Sequence, residues 1–253
     1  MTPKQNLFDV KGKTVFVTGA SSGIGRSAAT CLANSGAKVV GIARRLDKLK
    51  EWSEDTEGET SYFTADVSNK NQIKNLVDEV VQAEGSPDIL INAAGLNIRE
   101  HADDVTIEGW GKTMDLNLSA PFFMAQAVVE KMKKRKWGRI INYASLASRR
   151  ALPSSIAYGA SKGGVEQLTR AMAEAWSPFG INVNAIAPGF FPTELTVPVF
   201  NDKERTIRNA KQTCIGRNGE LEDLNGPLLF LCSKSSDYVT GQLIFVDGGF
   251  TAK

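Results

Sequence analysis

A single histidine, His101, and three cysteines, Cys31, Cys214 and Cys232, are all that 253 residues hold of those two types. One imidazole cannot build a His-rich metal site, and it serves a Ser-His-Asp triad only if it is the sole base. The cysteines are odd in number, widely spaced and form no C-x-x-C. That argues against a disulfide framework or a zinc knuckle and fits a reducing compartment. Charge of one sign is missing too. Lys+Arg number 30 against 28 Asp+Glu, a net of +2, which gives no long-range pull towards nucleic acid or an anionic membrane. No apolar run approaches the roughly 20 residues that span a bilayer. The opening stretch, MTPKQNLFDVKGK, has no apolar core of a secretory signal. The expectation is a soluble cytoplasmic protein with no nucleic-acid or membrane partner, whose catalysis uses something other than a metal.

What is present is an ordinary globular composition, 42% hydrophobic and 23% charged, without low-complexity segments or internal repeats. Short β-branched runs alternate with longer helical patterns. Strands are expected at 14–17, 39–42, 89–91, 139–142, 182–186 and 243–246. A helix is expected over 26–34, ended by Gly36, and others near 120–134, 157–176 and 221–232. Ile73, Leu76, Val77 and Val80 form a helical stripe for which Ser68 is a candidate N-cap. Continuously apolar strands between helices indicate an α/β, Rossmann-type, doubly wound parallel sheet with helices on both faces. Residues 1–253 read as one dinucleotide-binding and catalytic domain. Its ligand crevice should lie beyond the carboxyl ends of the strands, so the motifs should follow strands directly.

The first motif does. Thr18-Gly19-Ala20-Ser21-Ser22-Gly23-Ile24-Gly25 follows the first strand and opens a helix. Glycines there allow a tight turn and a close approach of backbone to a pyrophosphate, which the helix N-terminus attracts. The second strand ends on Arg44 and Arg45. An acid at this point binds a ribose 2′-OH, whereas an Arg accommodates a 2′-phosphate. Two guanidiniums and no acid point to NADP(H), with Arg44 the stronger candidate.

Tyr158 and Lys162 stand four apart in YGASK and so share a helical face. The ordinary tyrosine pKa is about 10, poor for proton transfer at neutral pH. A lysine ammonium at ~4 Å, with an effective dielectric of about 20, favours the phenolate by of order 4 kcal/mol. This lowers the pKa by up to ~3 units before desolvation opposes it, into the range that proton transfer needs. Ser145 lies just past the strand at 139–142, where its hydroxyl could hold a carbonyl oxygen. Asp66-Val67, Asn92-Ala93-Ala94-Gly95 and Pro188-Gly189, the last followed by Thr193, also sit at strand ends. Each is by itself the kind of residue that turns and caps use.

Taken together these motifs make the chain resemble the short-chain dehydrogenase/reductase family, over roughly residues 7–249. The resemblance rests on TGASSGIG at 18–25, DV at 66–67, NAAG at 92–95, the Asn of DLNL at Asn117, Ser145, YGASK at 158–162, PG and Thr at 188–193, and VDGG at 246–249. Ala93 departs from it where many members have a second Asn, and Ala144 where a second Ser often stands. It implies that Tyr158 donates a proton to the carbonyl oxygen and that Ser145 holds that oxygen. Lys162 would bind the nicotinamide ribose and lower the Tyr158 pKa, and Asn117 would keep a water linked to Lys162. It places the cofactor on Gly19, Ser21, Ser22, Gly23, Ile24, Gly25, Arg44, Arg45, Asp66, Val67, Asn92, Ala93, Gly95, Pro188, Gly189 and Thr193, with Tyr158 and Lys162. It suggests a homotetramer, in which Gly163 and Gly164 would permit close helix approach.

A mobile lid is expected at about 190–218, where Phe190, Phe191, Leu195, Val197 and Phe200 could close over substrate and exclude water. Arg99, in the loop after NAAG, resembles an Arg of members acting on sugar acids. Arg99 or Arg149 could pair with a substrate carboxylate. The reading is an NADP(H)-dependent oxidoreductase interconverting a ketone and a secondary alcohol on a sugar acid, polyol or small carbonyl compound. A 3-oxoacyl thioester reductase and a non-catalytic NADP-binding sensor stand as alternatives. The basic run at 131–136 reads as a solvated helix end, where cations favour the macrodipole.

Overall fold

The computed structural model describes residues 7–253; the first six residues of the stretch read for a leader lie outside it. Seven strands form one parallel sheet in the order β3-β2-β1-β4-β5-β6-β7. They are β1 (Thr14–Thr18), β2 (Lys38–Ala43), β3 (Thr60–Thr64), β4 (Ile89–Asn92), β5 (Gly138–Tyr143), β6 (Ile181–Pro188) and β7 (Leu243–Val246). The helices between them are α1 (Gly23–Asn34), α2 (Leu46–Asp55), α3 (Ile73–Glu84), α4 (Ile107–Met114), α5 (Ala120–Arg135), α6 (Ile156–Trp176), α7 (Val197–Phe200), α8 (Lys203–Gln212) and α9 (Asn225–Cys232). The order reverses between β1 and β4, which are direct neighbours. A doubly wound sheet opens its ligand crevice at such a point.

Alternation along the strands feeds two cores. Val15 and Val17 of β1, with Ile89 and Ile91 of β4, face a cluster that takes in Leu32 of α1, Trp52 of α2 and Leu228 of α9. Phe16 and Leu90 face the opposite cluster, with Val77 of α3, Met124 of α5 and Met172 of α6. Both faces are therefore covered, and apolar residues occupy successive strand positions because each face has a core to fill. Gly41 yields to Trp52: a Cβ there would stand 2.5 Å from the indole ring.

Helix ends follow local chemistry in most places. Gly36 ends α1 at a φ of +86°, with Gly36 N donating to Ala33 O. The basic run closes α5, and Lys133, Lys134 and Arg135 occupy its last turn. Ser68 does not cap α3, which starts four residues later than that reading requires, after Gln72. Its amide and hydroxyl both bond Asp66 Oδ1 instead, at 3.0 and 2.7 Å. A two-residue loop closes through a side chain more readily than a distant helix end does. Between α4 and α5 the chain widens into a π-type turn, Asp115–Ser119, which carries Asn117. Among the described residues no helix is long and apolar enough to cross a membrane.

Candidate active site

A crevice of about 490 Å³ opens at the carboxyl ends of β1, β2, β4, β5 and β6. Its floor is the turn from β1 into α1. Gly19, at a φ of +77°, would bring a Cβ to 2.8 Å from the Ala94 backbone, so only glycine lets this turn meet the loop after β4. Thr18 Oγ1 joins the same two loops, accepting from Ala93 N at 3.2 Å and Ala94 N at 3.3 Å. Gly25 packs so tightly that a Cβ would stand 2.3 Å from Gly19 O. Ser22, the N-cap of α1, gives its side chain to no helix amide. The first-turn N–H groups of α1 therefore keep the positive helix end for an anion.

Most of the motif residues line this one crevice: Gly19, Ser21, Ser22, Gly23, Ile24, Gly25, Arg44, Arg45, Asp66, Val67, Ala93, Gly95, Ser145, Tyr158, Lys162, Pro188, Gly189, Phe191 and Thr193. Motifs scattered over 175 residues meet because most of them directly follow strands of the same sheet, while α6 brings in Tyr158 and Lys162. Arg44 is largely free, its side chain 70% exposed and 4.0 Å from Asp66 Oδ2. Arg45 is engaged, as a two-pronged partner of Glu194 at 2.9 and 3.1 Å.

Lys162 is buried, and its Nζ donates to Tyr143 O at 2.6 Å. Burial lowers its pKa to about 8. The same ammonium lies 5.8 Å from the Tyr158 ring centre. Tyr158 is half-buried, with its phenol deep in the crevice, and burial moves its pKa up from the ordinary value. A hydrogen bond from Ser145 and the Arg99 guanidinium pull it down. The anticipated depression by Lys162 is thus absent in this geometry. Desolvation dominates, and the cations and donors that favour the phenolate are Ser145 and Arg99.

Asn117 stays behind the wall. It is fully buried, accepts from Leu96 N at 2.9 Å, and donates to Leu96 O at 2.9 Å and Ser161 Oγ at 3.1 Å. Asn92 is likewise out of the crevice, donating to Asn142 Oδ1 at 2.9 Å and Pro121 O at 3.2 Å. Phe190 turns away to meet Phe250 edge-on at 5.6 Å. Its backbone segment borders a second cavity of about 270 Å³, with Arg217 and Asp247. Phe191 is buried against the crevice and against Gly219, where a Cβ would stand 2.4 Å from its ring.

Of the two arginines weighed for a carboxylate, Arg149 is already taken. It pairs with buried Glu166 at 2.7 Å and stacks over Phe245. Arg99 is half-buried and has no acidic partner among the described residues. Burial and then the like charge of Arg205, on α8, push its pKa down, while Tyr158 opposes this. Arg205, Glu194 and the Tyr143 carbonyl stand in no motif of the sequence. A backbone carbonyl carries no residue signature, and Glu194 meets Arg45 across 149 positions.

Residues 19–251 match the family model described as enoyl-(acyl carrier protein) reductase. The chain is 39% identical over 251 residues to 2-dehydro-3-deoxy-D-gluconate 5-dehydrogenase of Bacillus subtilis, covering 98% of each. It is 38% identical over 249 residues to gluconate 5-dehydrogenase of Gluconobacter oxydans, covering 97% of each. The crystal structure of a gluconate 5-dehydrogenase from Burkholderia cenocepacia, in complex with NADP and tartrate, superposes with a TM-score of 0.91 at 36% identity, covering 98% of both chains.

Proposed function

The chain belongs to the short-chain dehydrogenase/reductase family, and we propose that it interconverts a keto sugar acid and the corresponding secondary alcohol with NADP(H). Members of this kind act as oxidoreductases on CH–OH groups, and this chain is one of them. The observation that carries the finer reading is the convergence of Tyr158, Ser145 and Lys162 with the glycine turn and Arg44 in one crevice.

The residues present fit a phosphorylated dinucleotide. Gly19 and Gly25 shape a cradle that a Cβ would fill, the start of α1 offers free amides, and Arg44 stands open at the end of β2. Arg44 and Arg45 would hold a 2′-phosphate, Asp66 and Val67 the adenine end, Lys162 and Tyr158 the nicotinamide ribose, and Thr193 the nicotinamide amide. The cofactor supplies and accepts the hydride; the protein supplies position and proton transfer.

In the reductive direction the Tyr158 hydroxyl hands its proton to the substrate oxygen, and the Ser145 hydroxyl holds that oxygen in place. A phenol whose pKa is raised by burial is protonated at neutral pH, the form that donation requires. Lys162, near a pKa of 8, carries or releases a proton in the same range and can return one towards Tyr158. Asn117 fixes the loop at Leu96 and the helix at Ser161, and so positions the wall on which Lys162 lies. Segment 190–218 is the lid, with Phe191 as its apolar face on the crevice. Arg99, beside Tyr158 and without an acid of its own, suits the carboxylate of a sugar acid. The names of the relatives support that substrate class.

Following NADPH oxidation with 5-keto-D-gluconate, a neutral ketose, a simple ketone and a 3-oxoacyl thioester tests this directly. Turnover of the keto acid at least tenfold above the neutral ketose is expected. A preference for the thioester would replace the reading, and no turnover of any of them would favour a binding role.

A further inference from the structure

The start of the lid sits on the phosphate end of the crevice. Arg45, at the end of β2, and Glu194, after β6, bridge it from opposite walls. Arg45 Nη1 donates to Glu194 Oε1 at 3.1 Å and Nη2 to Oε2 at 2.9 Å. The same Nη2 reaches Ser22 Oγ at 2.8 Å and Ser21 Oγ at 3.2 Å, the two serines of the glycine turn. One residue earlier, Thr193 closes on the turn itself: a Cβ on Gly23 would stand 3.2 Å from Thr193 Cβ. Two neighbouring lid residues thus press on the surface offered to phosphate, and one of them brings a carboxylate.

A carboxylate and a phosphate present the same pair of oxygens to a guanidinium fork. Both cannot hold one fork at once. Arg44, by contrast, is paired only loosely, its side chain 70% exposed and 4.0 Å from Asp66 Oδ2. The two adjacent arginines therefore differ: one is open, and the other is held by an internal anion. We propose that Glu194 competes with the cofactor's 2′-phosphate for Arg45, and so sets the affinity for NADP(H) and its margin over NAD(H). Displacement of its carboxylate also frees the first turn of the lid, Glu194–Thr196, which leads straight into α7. A 2′-hydroxyl carries no charge to expel the carboxylate, so NAD(H) leaves the bridge standing. Glu194 is a specificity-determining residue in this account, not a catalytic one.

The proposal rests on the NADP(H) reading, and one set of titrations separates the two. Dissociation constants for NADPH and NADH are measured by nucleotide fluorescence on the full chain and on Glu194→Gln, Arg44→Ala and Arg45→Ala. Glu194 is exposed, its side chain at 58%, so the glutamine variant is expected to fold. The expected result is NADPH binding three- to tenfold tighter in Glu194→Gln, with NADH changed less than twofold. Unchanged or weaker NADPH binding, or an equal gain for NADH, overturns the proposal while the wild-type preference for NADPH stands. A wild-type protein that binds NADH as tightly as NADPH, with arginine variants that shift both alike, overturns the cofactor reading and the proposal with it.

Discussion

Lys162 Nζ donates to the Tyr143 carbonyl at 2.6 Å. The ammonium is thereby anchored to the end of β5, 5.8 Å from the Tyr158 ring. A buried cation held by one neutral carbonyl is destabilised relative to its place in water, which is why its pKa falls to about 8. The unfolded chain, with an ordinary lysine, binds more protons than the folded one between about pH 8 and 10.5. Folding stability attributable to this group therefore rises with pH across that window.

Lys162→Met removes the buried charge. Its Tm relative to wild type should be more favourable at pH 7, where the wild-type ammonium is charged, than at pH 10, where it is neutral in the folded state. Thermal melts of both proteins at the two pH values check this. A difference that does not change with pH contradicts the account of Lys162 as a charged, desolvated group. Activity should be lost at either pH.

Arg99→Ala should raise KM selectively for anionic substrates. A charge-assisted pair contributes about 1.5–3 kcal/mol, so a ten- to hundredfold rise is expected for a keto sugar acid. The KM of a neutral ketone and the Kd of NADPH should stay within a factor of about two. An unchanged KM for the acid removes Arg99 from the substrate site.

Arg149→Ala should do the reverse. Arg149 and Arg170 both pair with Glu166, at 2.7 and 2.8 Å, and that carboxylate is itself buried. The Arg149 bond, then that of Arg170, holds the Glu166 pKa below the usual carboxylate range against burial. The stability from this group is present above about pH 4, the unfolded value, and is lost as pH falls through the lower folded value. Arg149→Ala should lower Tm near neutrality and leave KM for anionic substrates unchanged. Steady-state kinetics beside a melt separate the two effects.

Much of this fold was legible because the strands carry it in their composition. β1, β2 and β4 place apolar residues on both faces, and only a sheet covered on both sides asks for that. β3, TSYFT, escaped notice because it pairs only with β2, at the edge of the sheet, and is nowhere fully buried. α8 was equally quiet: of its ten residues only Asn209 is buried, so little apolar stripe marks it. The site divides the same way. Tyr158, Ser145 and Lys162 are placed by strand ends and a helical spacing that the sequence displays. The anchor of Lys162 is a backbone atom, and the partner of Arg45 lies 149 residues away, in the segment after β6. Contacts of that kind arise only when the sheet has brought its loops together.

Tyr158→Phe tests the central claim most directly. The variant keeps the ring and its packing and removes only the hydroxyl that would carry the proton. Measured by NADPH oxidation with the best keto acid of the panel, kcat should fall by at least about a hundredfold, while the Kd for NADPH stays within about twofold of wild type. Retention of a tenth or more of the wild-type kcat, with binding intact, would contradict the assignment of Tyr158 as the proton donor.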